Sequence, residues 1–204
     1  MDGDDWWCDK YKLQKQYQFL KDNPEYNLII SFAKAYNNEL KTFGKRLGNP
    51  SLCEFENMMF ADEDVQSQTM LFKKDLLLQH ISDFQWYVKN NCFFDSIIAY
   101  YYALYGKIHF IEEELAVYRI LSNSGCHSTD CQKQIEYLKR YFAIKSRFLV
   151  ENKVSVDIVH EVLLREWDNA FTYGMNIKES QIRTSKRYKL GAFIIDILKK
   201  IFFF

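Results

Sequence analysis

The apolar runs of this chain change character once, and that change limits the folds open to it. Up to about Arg119, strand-length and helix-length runs alternate; from Asp130 onward only helix-length patterns remain. "YNLIISFAKAY" reads as a buried strand, "SQTMLFKKDLL" as a strand passing into a helix, and "FFDSIIAYYYALYG" as a helix closed by Gly106. "KIHFI" and "LAVYR" read as two strands joined through Glu112, Glu113 and Glu114. Ahead of them, Asp9 is placed to cap a helix whose buried stripe is Leu13, Tyr17 and Leu20 and which stops before Pro24. Residues 37–50 are polar and predict a loop, and "CEFENMMF" a short helix. This is the order of an α/β domain over residues 1–128, followed by a helical extension over residues 129–204. A sheet of so few strands needs further chain or a partner along its edges.

Composition removes several classes of function. Lys plus Arg and Asp plus Glu are both 27, so the net charge is zero, which argues against nucleic acid as the main partner. Five cysteines without a Cys-x-x-Cys pair fit neither a disulfide framework nor a zinc ribbon, and favour a reducing, cytoplasmic setting. The first twenty residues are charged and lack the apolar core of a signal peptide. No apolar run is long enough to span a bilayer.

The chemistry-bearing residues are mostly acidic. "MDGDDWW" places Asp2, Asp4 and Asp5 together, hard oxygen donors suited to Mg²⁺ or Mn²⁺. Solvated acidic clusters are common at chain ends, but two tryptophans beside this one set it apart. Asp95 opens an otherwise apolar helix, where an aspartate is a cap more often than a catalyst. The histidines lack metalloprotease spacing, and Cys126, His127 and Cys131 match no established ligand spacing. There is neither a Gly-rich phosphate loop nor a nucleophile elbow.

Taken in order, "DGDDWW" with "KLQKQYQFLKDNPEY", then "SQTMLFKKDLL", then "FFDSIIAYYYALYGKIHFIEEELAVYR" resemble family 2 glycosyltransferases, inverting enzymes of the GT-A fold. The resemblance covers about residues 1–124. It implies transfer of a sugar from a nucleotide-diphosphate sugar to the hydroxyl of a glycan or lipid-linked acceptor. Asp2 and Asp4 would hold the metal; Asp2, Asp5 and Arg119 would contact the donor; Asp95 would be the general base. In that family a Rossmann-like nucleotide-binding half precedes the Asp-x-Asp motif, and this sequence shows no counterpart of it. The expectation is therefore the C-terminal, acceptor-side part of a transferase, inactive alone unless another chain supplies the donor half. One departure is Leu121, where many members carry a metal-proximal histidine after the Tyr-Arg pair.

The tail "RTSKRYKLGAFIIDILKKIFFF" joins a basic lead to an apolar segment interrupted by charge. It predicts a helix lying on the inner face of an anionic membrane, or one packing back on the domain. Two other readings stand beside the transferase: a non-catalytic remnant that binds or assembles through its helices, and a peripheral membrane module with an incidental acidic motif.

Overall fold

The computed structural model describes residues 3–61, 65–89, 94–121 and 131–176. The tail, Asp2, Cys126 and His127 lie outside them. Two units are distinguished, Met1–Ser122 and Asn123–Phe204. Among the described residues the chain is mixed α/β, with a five-stranded mixed sheet and seven α-helices.

The sheet is organised by two strands. β2 (Leu28–Asn37) is apolar on both faces and buried over most of its length, as a central strand requires. β5 (Ile108–Ile120) runs parallel beside it. On the far side of β5, β1 (Trp6–Trp7) pairs antiparallel, Trp6 opposite Val117 and Trp7 opposite Ala116. On the far side of β2 lie β3 (Thr42–Leu47), opposite residues 33–37, and β4 (Leu71–Phe72), opposite Leu28 and Ile29, both antiparallel.

Helix α1 (Lys12–Asp22) follows β1, and α2 (Phe55–Phe60) follows β3. α3 (Lys74–Gln79), α4 (Ile81–Lys89) and α5 (Phe94–Tyr105) lie between β4 and β5. Residues 97–102 of α5 are all buried, so this helix is enclosed on every side and shows no polar face over that stretch. In the second unit, α6 (Cys131–Glu151) and α7 (Val156–Asn176) pack together. Lys145, 1% exposed, donates from Nζ to Glu166 Oε1 at 2.9 Å across that pair.

Several expectations needed revision. The two strands expected around Glu112–Glu114 are one, because the acids occupy a slip in register rather than a turn. Ser31 faces Ile111 while Phe32 faces Glu114, which leaves Glu112 and Glu113 exposed; Glu113 pairs with Lys15 and Glu114 with Lys34. The expected loop over 37–50 contains β3. Asn37 Oδ1 accepts the N–H groups of Glu39 and Leu40 at 3.0 and 2.9 Å and turns the chain there. As an edge strand exposed at residues 42–46, β3 has no buried face to impose alternation on its sequence.

The buried stripe of α1 is Lys12, Gln16 and Leu20, whereas Leu13 and Tyr17 are 44% and 65% exposed. Two polar side chains took the inner face because each finds a partner there. Asp9 does not cap α1 through N2 or N3: its Oδ1 accepts Tyr11 N–H at 2.6 Å, and Tyr11 is the cap residue, without a side-chain bond. Gly106 follows α5 as expected, but its value is space, since a Cβ there would lie 2.9 Å from Asn27 Oδ1. Gly48 has a left-handed backbone conformation, with φ +108° and Ser31 O 3.2 Å from any added Cβ.

Candidate functional site

Asp4 lies in the turn with Gly3, and Asp5 joins that turn to β1. Because β1 runs antiparallel to β5 with Trp6 opposite Val117, the residues before Trp6 lie beyond Val117, at the carboxyl end of β5. Asp5 is 8% exposed, and its Oδ1 accepts the backbone N–H of Arg119 at 2.8 Å. The carboxylate thus continues the β1–β5 ladder where the backbone of β1 has ended. Asp4, next to it, is half-buried.

Arg119 closes the other side. Its guanidinium lies over the Trp6 ring, 5.1 Å from the centroid. Its Nε is buried and has no hydrogen-bond acceptor among the described residues. Trp6 meets Tyr36 edge-on at 5.4 Å, and Tyr36 meets Phe43 at 5.1 Å. Since Tyr36 stands opposite Arg119, an aromatic strip crosses the sheet from β1 to β3 with the guanidinium set into it. Three residues singled out from the sequence, Asp4, Asp5 and Arg119, therefore occupy one end of the sheet.

Asp95 is on another element, in the first turn of α5, which packs on α2 and α3. Its Oδ1 accepts Ser96 N–H at 2.9 Å. Among the described residues no group of three acidic, histidine or cysteine side chains is arranged to hold a metal; Asp2, half of the expected pair, lies outside them. Carboxylate oxygens at Asp4 nonetheless have the hard-donor chemistry that Mg²⁺ and Mn²⁺ take.

The remaining titratable candidates are structural. His109 is stacked on Phe19 with centroids 3.7 Å apart and meets Tyr26 edge-on, and burial lowers its pKa. Cys53 is pushed up to about 11 by burial, and Cys8 is also raised by burial, so neither is a ready thiolate.

Sequence reasoning missed Lys12. It is 1% exposed, donates to Gln16 Oε1 at 2.7 Å and lies 4.8 Å from the Trp7 ring centroid, while Gln16 Nε2 donates to Thr69 O at 2.7 Å. Burial alone brings its pKa down to about 8. The spacing of Lys12, Gln16 and Leu20 was the available signal, masked by the polarity of the first two. Among the described residues no helix is long and apolar enough to cross a membrane. The chain matches no protein-family model and none of the curated proteins.

Proposed function

We propose that the chain is the metal- and acceptor-side part of an inverting glycosyltransferase, moving a sugar from a nucleotide-diphosphate sugar to the hydroxyl of a glycan or lipid-linked acceptor. The observation that carries this reading is the bond from Arg119 N–H to Asp5 Oδ1. It holds the acidic segment at the carboxyl end of β5, the end at which open α/β sheets place their ligands. Hard oxygens and a guanidinium then stand at one end of the sheet, a combination that suits a diphosphate.

On this reading Asp4, with Asp2, holds Mg²⁺ or Mn²⁺, which when bound offsets charge on the departing diphosphate. Asp5 positions Asp4 by tying its neighbour to β5. Arg119, whose guanidinium lies over the Trp6 ring, offers its terminal N–H groups to the phosphate oxygens. Asp95 takes the proton from the attacking hydroxyl as general base.

The test is thermal unfolding of the chain with Mn²⁺ and either pyrophosphate or a panel of nucleoside diphosphates. A ligand at a hundred times its Kd adds about 2.7 kcal/mol to the folded state. The expected result is stabilisation that requires Mn²⁺ and disappears in Asp4→Asn. Stabilisation equal in Asp4→Asn and wild type, or none with any of these ligands, overturns the reading.

A further inference from the structure

Arg46, on the edge strand β3, stands directly opposite Lys34 of β2. Like charges facing each other across a ladder repel. Here one carboxylate serves the pair: Glu114 Oε2 lies 3.2 Å from Lys34 Nζ. Arg46 has no carboxylate partner among the described residues. It is exposed, yet its guanidinium is not loose, for it lies over the Phe32 ring at 3.9 Å from the centroid. A guanidinium centred over an aromatic ring is restrained there by cation–π attraction, and its N–H groups stay available to an oxyanion.

Arg46 shares its sheet face with the candidate site. Paired residues project to the same side of a sheet, so Arg46, Lys34, Tyr36 and Arg119 line one face. Two strand spacings and two residues of rise separate Arg46 from Arg119, about 12 Å between Cα atoms. A disaccharide bridges that span. The two arginines repeat one arrangement on the same sheet face, a guanidinium over a ring without a carboxylate among the described residues.

We propose that Arg46 selects an anionic saccharide as the acceptor, binding a phosphate or carboxylate on the sugar adjoining the one that reacts. The choice of a saccharide rests on the glycosyl-transfer reading; the choice of an anion rests on the unpaired charge of Arg46. A single-stranded nucleic acid is the competing polyanion. It binds by stacking bases on free ring faces, whereas here Phe32 is buried and cations lie over Phe43 and Trp6.

The experiment measures binding of the 204-residue chain to four oligomers of matched length: an oligogalacturonate, a phosphodiester-linked hexose oligomer, neutral dextran and oligothymidylate. It is run in EDTA, so the outcome is independent of any metal-dependent diphosphate site. The expected result is salt-sensitive binding of at least one anionic saccharide oligomer and none of dextran. Arg46→Gln weakens it tenfold or more, and Arg46→Lys by an intermediate factor, because lysine keeps the charge but loses the fork. Comparing galacturonate with the phosphodiester-linked hexose oligomer identifies the anion. Absence of binding to both, equal binding by Arg46→Gln, or tighter binding of oligothymidylate overturns the proposal. If Mn²⁺-dependent diphosphate binding fails while the Arg46 effect is seen, the transfer reading falls and the anion site stands.

Discussion

Replacing Lys12 by methionine tests whether a buried ammonium strains this fold. Lys12 is 1% exposed, its amine faces a glutamine oxygen and an indole ring, and no carboxylate pairs with it among the described residues. Burial lowers its pKa from 10.5 to about 8. The unfolded chain therefore binds this proton more tightly than the folded one, and stability rises with pH between those values. Below pH 8 both states are protonated and the full penalty applies, about 3 kcal/mol from the size of the shift. Above 10.5 it is gone. Lys12→Met removes the penalty but leaves Gln16 Oε1 without its donor, a loss of about 1 kcal/mol or more. Its net effect at neutral pH is thus a smaller number than its effect on the pH profile. Urea unfolding of both proteins at pH 7 and pH 9.5 isolates the titration, because tyrosines and other lysines cancel in the difference. Wild type should gain about 2 kcal/mol on the variant over that interval. A difference that does not change with pH would mean that the amine is solvated in the folded state, and the argument from its burial would fail.

Asp5→Ala removes the acceptor of Arg119 N–H and should lower stability by about 1–3 kcal/mol, read by urea unfolding, with β1 losing its hold on β5. Gly106→Ala forces a Cβ to within 2.9 Å of Asn27 Oδ1, which itself accepts Lys107 N–H; a loss of about 1–3 kcal/mol and a lower melting temperature are expected. Glu166→Ala strands the buried ammonium of Lys145 and should cost about 3–5 kcal/mol in the helical unit, followed by far-ultraviolet circular dichroism. A loss below 0.5 kcal/mol would show that water reaches Lys145.

What the sequence alone determined is what local periodicity can record. β2 and α5 are apolar through their middles because both are surrounded, and a surrounded segment needs no polar face. Helix-only patterning after Asp130 likewise anticipated α6 and α7, and the Asn23–Pro24 pair anticipated the end of α1. Tertiary structure decided the rest. β3 is a strand because β2 offers it hydrogen bonds, and no burial wrote that into its side chains. β5 is continuous because Lys15 and Lys34, distant in sequence, take up the acids at its slip in register. The inner face of α1 was set by Trp7 and the Thr69 carbonyl, which let a lysine and a glutamine replace an apolar stripe. At the candidate site the residue types were legible, but their meeting was not. Asp5 and Arg119 are 114 residues apart, and their bond exists because one register of β1 on β5 brings them together. A carboxylate carries no mark of which backbone N–H it will accept; strand pairing chooses, and strand pairing is a property of the whole sheet.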